Sequence, residues 1–345
     1  MRTNCGIAGA FVAAVAGTLV VASGPLTAQS EHRAVNGTVW VANRGSHTIR
    51  GFDADSGAEI RTIAMAPNSQ PGDVAFAKGK LYVTEEFGTP PAVAIVDAEG
   101  GSILGRKTFP TGLRPHHVHA GAGGNLVAVG LFGTDLVAVI DTHTDIVLGP
   151  WDSNPMTTNG RVHAAVFSQD GNTLYLANEG AGEVIAIDPY NGAVLWRMAV
   201  PSVHELAITN NGKMAYASRR TANRVAVIDL ETHTYVDVLT LGLPDTLRLS
   251  ANEKLLTIGL RTSPAQLAVT DTETFAVELV NLSAANEATS LGAHQWTSPA
   301  GRYTFAGFEG GSNPGVAVID HAEGNRVVQR LAYPGRPHGV DFARP

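Results

Sequence analysis

Residues 163–200 read HAAVFSQDGNTLYLANEGAGEVIAIDPYNGAVLWRMAV. Four short stretches alternate β-branched or apolar residues with small or polar ones: 163–168, 174–178, 183–188 and 194–200. Gln169-Asp170-Gly171-Asn172 and Asn191-Gly192 supply the turn chemistry that hairpins need. The third stretch ends on an aspartate, and that ending recurs seven times, at Asp53, Asp97, Asp141, Asp188, Asp229, Asp271 and Asp320, with gaps of 44, 44, 47, 41, 42 and 49 residues. No segment has an apolar period of 3.6 residues. A repeat of this length with only strand patterning inside it predicts an all-β, seven-bladed propeller of four-stranded antiparallel blades.

The two ends of the repeat array are complementary. Thr38-Val39-Trp40-Val41-Ala42-Asn43 is the second strand of a repeat, and His338-Gly339-Val340-Asp341-Phe342 is a first strand. Three strands from one end and one from the other complete a blade, a 3+1 Velcro closure that removes a free sheet edge.

Ahead of the array, Arg2 precedes an apolar or small run from Ile7 to Ala22, a Gly24-Pro25 break and Leu26-Thr27-Ala28 before Gln29. Residues 1–28 are expected to be a secretory signal peptide, 29–37 an N-terminal extension and 38–345 the propeller. Cys5, the one cysteine of 345 residues, falls in the signal, so no disulfide is expected. Without Arg2, 23 basic residues face 31 acidic ones, a net charge of −8. That argues against nucleic acid or an anionic membrane surface as partner. No later apolar run is long enough for a membrane anchor. A periplasmic or secreted monomer is expected.

Val39-Trp40-Val41-Ala42-Asn43, Leu81-Tyr82-Val83-Thr84-Glu85 and Leu174-Tyr175-Leu176-Ala177-Asn178 resemble the YVTN repeat of secreted bacterial (YncE-like) propellers. The resemblance covers the whole mature chain. It implies the fold, and it spans binding proteins, lactonase relatives and lyases.

The repeat register also aligns residues that no local motif connects. The position at the start of each first strand holds Gly72, His116, His163, His204, Asp245, Ala293 and His338. The next holds Asp73, His117, Ala164, Glu205, Thr246, His294 and Gly339. First strands surround the axis, so His116, His163, His204 and His338 are expected to converge at one mouth of the channel, with His117, His294, Glu205 and Asp245 in reserve. Imidazoles with a nearby carboxylate suit zinc, or copper. The turn after each second strand adds a ring of Arg44, Glu86, Leu131, Glu179, Arg220, Arg261 and Glu309. With Arg219, Trp296 and Phe308 it forms a candidate subsite for an anionic small molecule, read as Arg219, Arg220, Arg261, Glu86, Glu179, Glu309 and Trp296.

Three functions fit. The first is a periplasmic protein that holds a transition metal for storage or for delivery to a periplasmic protein partner. It is similar to the propeller-type zinc metallochaperones of the AztD kind, although residues 29–36 hold a single histidine, His32. The second is a metal-dependent lyase or lactonase, with His116 or His204 as general base. The third is a non-catalytic recognition scaffold. No Gly-x-Ser-x-Gly elbow, Walker loop or Cys-x-x-Cys-His is present.

Overall fold

The computed structural model describes residues 20–22, 35–153, 160–283, 290–298, 300–310 and 313–344. Seven antiparallel sheets stand round one axis. Their innermost strands are Pro337–Ala343 (blade 1), Pro71–Ala77 (blade 2), Arg114–Ala120 (blade 3), Val162–Phe167 (blade 4), Val203–Ile208 (blade 5), Pro244–Leu249 (blade 6) and Ser290–Thr297 (blade 7). Blade 1 closes as the sequence predicts: Pro337–Ala343 pairs with Thr38–Asn43, with Val41 opposite Val340 and Val39 opposite Phe342.

The recurring aspartates are turn devices. Each sits at the end of a third strand and turns an Oδ1 back to accept backbone N–H groups two or three residues on. Examples are Ser56 N–H to Asp53, Glu99 to Asp97, Thr144 to Asp141, Tyr190 to Asp188, Thr232 to Asp229, Thr274 to Asp271 and Ala322 to Asp320. This Asx-turn chemistry starts the hairpin to the outermost strand. The polar residue closing the second strand has its own task. Asn43 Oδ1 accepts Arg336 N–H at 2.9 Å, and Asn178 Oδ1 accepts Arg161 N–H at 3.0 Å, so each fixes the loop that enters an inner strand.

The core is divided rather than single. One apolar cluster fills each of the seven blade junctions, from Trp40, Leu81 and Val83 between blades 1 and 2 to Phe52, Phe305 and Val340 between blades 7 and 1. The axis is left to polar side chains.

One departure from the four-stranded plan lies in blade 6. The short strand Val20–Ala22 pairs in parallel with Val277–Asn281, the outermost strand of that blade, and makes it five-stranded. An outer strand has unpaired backbone groups that any extended segment can satisfy. The rest of the expected 1–28 signal lies outside the described residues.

Candidate functional site

In every blade the ladder between the inner and second strand slips at one place. The slips lie between Pro71 and Val74, Val162 and Ala164, Val203 and Glu205, Pro244 and Leu247, and Gly292 and Gln295, with matching slips opposite Val129/Leu131 and Val41/Asn43. The residues inside them are Gly72-Asp73, His116-His117, His163, His204, Asp245-Thr246, Ala293-His294 and His338-Gly339. Strict pleating would send consecutive side chains to opposite faces. A β-bulge re-aims them, and the rings of His116 and His117 lie 4.7 Å apart. Buried hydroxyls pin two of these bulges across blades. Thr84 Oγ1 accepts Asp73 N–H at 2.8 Å and donates to His116 O at 3.0 Å; Ser218 Oγ accepts Glu205 N–H at 3.1 Å and donates to Asp245 O at 2.6 Å.

Seven histidines meet at the axis. Ring centroids are 4.9 Å apart for His116–His163, 4.1 Å for His117–His163, 3.4 Å for His163–His204, 4.3 Å for both His117–His294 and His294–His338, and 6.1 Å for His117–His119. Among the described residues, three donor sets have their ligand atoms within 4.8 Å of one another: His116, His117 and His163; Asp73, His117 and His294; and His117, His119 and Glu205. His117 belongs to all three. It is 1 % exposed, and among the described residues neither of its ring nitrogens has a hydrogen-bond partner. Glu205 is fully buried, and neither carboxylate oxygen accepts a hydrogen bond from any described residue. Its nearest charged or imidazole neighbours are His119 at 3.3 Å, His117 at 3.6 Å, Arg248 at 3.8 Å and His163 at 3.9 Å.

Burial holds the imidazoles of His117, His163 and His338 well below their ordinary pKa, and the neighbouring rings and guanidinium groups add to the effect. These three are neutral at pH 7. His116 is lowered by the same burial, against the pull of Glu86, 3.1 Å from its Nδ1. His204 differs. Burial opposes its charge, but Asp245, 2.6 Å from Nε2, and Glu179, 3.8 Å from Nδ1, outweigh it and raise the pKa. His204 is thus held toward imidazolium by two carboxylates, and it is in none of the three donor sets. His338 touches the cluster through His294 and is also outside them. The structure gives His117 the central place, and it brings in Asp73, which the register aligned without naming it a ligand, and His119, which the register does not contain. His119 follows His117 by two residues, a strand period that puts both on one face.

Above the histidines the arginines are engaged in ion pairs. Arg44 and Arg114 grip Glu86, with Arg44 at 2.8 Å. Arg220 bridges Glu179 and Asp245, both at 3.0 Å. Arg261 lies 3.5 Å from Asp245 and 3.4 Å from Glu309, which also meets Arg336 at 3.0 Å. Burial opposes ionisation of Glu86, but His116, Arg44 and Arg114 bring its pKa down to about 2. Two members of the expected subsite lie elsewhere. Arg219 points along blade 5 to Asp237 at 2.6 Å and over the Tyr235 ring. Trp296 stacks on Phe342 at 4.3 Å, between blades 7 and 1. Leu131 and Phe308 are core residues.

Comparisons with known proteins agree with this architecture. Residues 104–290 match the family described as lactonase, 7-bladed beta-propeller. A protein of Salmonella typhimurium, YncE, is 26% identical over 241 residues, covering 65% of this chain and 66% of that protein; the chain thus spans just under two thirds of that relative's length. Among solved structures, the periplasmic gluconolactonase PpgL of Pseudomonas aeruginosa superposes with a TM-score of 0.66 at 19% identity, covering 90% of this chain and 99% of that one. A functionally unknown protein of Desulfotomaculum acetoxidans gives 0.69 at 12% identity, with the same coverage. At such identities the structures speak for the fold alone. With more than half its length matched, and seven blades in place, the chain belongs to the lactonase-type seven-bladed β-propeller family.

Proposed function

We propose that the protein binds a transition-metal ion, zinc or copper, within its axial histidine cluster, for storage or delivery outside the cytoplasm. The observation that carries this reading is the pair His117 and Glu205: a buried imidazole and a buried carboxylate, 3.6 Å apart, with four polar atoms that make no hydrogen bond. Leaving such groups unsatisfied costs about 1–3 kcal/mol each, and a cation among them removes that cost. Neutral imidazoles plus a carboxylate form a donor set for zinc or copper rather than for calcium or magnesium. The N-terminal 1–28 segment supports export, and delivery would involve a periplasmic partner.

The test is metal analysis of the purified mature protein after dialysis. About one or more equivalents of zinc or copper per chain are expected, given four-coordinate sites, and His117→Ala should lose most of it. A wild-type protein free of both metals, even after incubation with them, rejects the reading.

A second reading, hydrolysis of a lactone at the histidine-bearing mouth, is supported by the family match and by the gluconolactonase among the similar structures. Here His116 is the base. Glu86 holds its Nδ1 at 3.1 Å, and burial keeps the ring neutral, so Nε2 can take a proton from water. Turnover of glucono-lactone that disappears in His116→Ala while metal content stays constant would favour it.

A further inference from the structure

The channel has a second mouth, where the inner strands end. A cavity of about 510 Å³ opens there, between the strand ends of blades 1, 2 and 3 and the turn 121–124. Its charged lining is Lys78, Arg248, Arg344, His119 and Asp341. The protein as a whole carries −7, so three cations around one cavity run against its overall balance.

Two of these cations are also unmatched. Among the described residues, Lys78 and Arg344 make no ion pair. Arg248 donates to Leu247 O at 2.8 Å, and its nearest carboxylate is Glu205, at 3.8 Å and fully buried. Asp341, the one acid of the lining, accepts Phe76 N–H at 2.7 Å. The contrast with the histidine-bearing mouth is direct: there Arg44, Arg114, Arg220, Arg261 and Arg336 are each within 3.5 Å of a carboxylate. An anion arriving at that mouth must break ion pairs. At this one it completes them.

The turn Gly121-Ala122-Gly123-Gly124 keeps the cavity open. It presents no side chain larger than a methyl, and a Cβ on Gly123 would meet nothing closer than 3.4 Å. On the floor, His119 keeps its Nε2 3.3 Å from Glu205.

We propose that this second mouth is a binding site for a small dianion, a dicarboxylate or a phosphate monoester, held by Lys78, Arg248 and Arg344. The volume suits a molecule of sugar-acid size. Two carboxylates or one phosphate can engage two cations at once, which a neutral sugar cannot. The site needs no metal, so it stands whether or not the histidine cluster holds one.

Isothermal titration calorimetry on chelator-stripped protein at pH 7.5 tests it, with succinate, glycerol 3-phosphate and glucose as ligands. One or both anions should bind saturably with a Kd of about 1 mM or tighter, and glucose should not bind. The relative affinity of the two anions distinguishes carboxylate from phosphate as the natural group. Lys78→Ala with Arg344→Ala should weaken binding at least about tenfold, whereas Lys213→Ala, at an exposed ion pair on blade 5, should not change it. Lys78 and Arg344 are exposed, so the fold should survive. If the double variant loses its near-ultraviolet dichroism, Lys78→Gln alone gives the same reading. Equal heats for glucose and the anions, or unchanged affinity in the Lys78 variants, would overturn the proposal.

Discussion

His204 Nε2 lies 2.6 Å from Asp245 Oδ1, and Arg220 Nη1 reaches the same oxygen at 3.0 Å, so two cationic donors from one blade converge on one carboxylate of the next. His204 has a folded pKa above its unfolded value of about 6.5. Stability from its charge is therefore complete below about pH 6.5 and is lost as pH rises through the folded value. We predict that His204→Gln costs about 1.5–3 kcal/mol at pH 6, the worth of a hydrogen bond to a charged group, and markedly less at pH 9. Urea unfolding at the two pH values measures this. An equal cost at both would show His204 uncharged.

The other buried histidines act in the opposite sense. His117, His163 and His338 are held well below 6.5, so the unfolded chain takes up protons that the folded one refuses. In chelator-stripped protein, stability should fall as pH drops below about 6.5, by up to about 1.4 kcal/mol per pH unit for each of the three. His163→Gln should make that slope shallower. Denaturation curves at pH 7, 6 and 5 give the slopes, and parallel slopes for the two proteins would contradict the assignment.

Removing residues 337–344 should open the ring. The strand carries Val340, Phe342 and Ala343 into the junctions of blade 1. Losing Val340 and Phe342 alone costs about 3–6 kcal/mol of apolar burial. The truncated protein should melt well below the full chain and bind a hydrophobic dye. An unchanged melting temperature is the outcome that counts against closure.

Gly339→Ala is a sharper probe of the same strand. A Cβ there would lie 2.2 Å from Asp73 Oδ1 and 2.5 Å from Asp73 Cα. Either the strand or the Asp73 backbone has to move, at about 1–3 kcal/mol for an overpacked site. We expect a lower melting temperature and weakened metal retention together. Full retention of metal in a destabilised variant would show that Asp73 lies outside the centre.

The fold was legible because each repeat carries the same turn device: an aspartate that binds the next N–H groups leaves a mark in sequence at every blade. The gathering of His116, His163, His204, His294 and His338 was legible for the same reason, since register alone places them. What register does not report is the bulge. Alternation assigns His116 and His117 to opposite faces, and only the slipped ladder lets both reach the axis. Side-chain choice among partners was equally hidden: nothing in the order of residues tells that His204 takes Asp245 and Glu179. Arg219 and Arg220 show the converse. They are neighbours with the same chemistry, yet Arg219 ends the second strand and Arg220 opens a 3-10 turn, and they reach different partners. The dense pairing of the arginine ring is also a property of three dimensions, because most of its acids stand on the neighbouring blade. Val20–Ala22 was read as part of an apolar leader, and an apolar stretch near a free strand edge can serve as a strand.

His338 and Gly339 ride on the strand that shuts the ring. During synthesis, six blades and most of the histidine cluster can be made while that strand is still unmade, yet one imidazole and the tight seat against Asp73 arrive only with it. The wall of the axis between blades 7 and 2 is therefore complete only when the ring is shut. A chain caught before closure holds six of the seven axial histidines but lacks the seat that Gly339 provides against Asp73.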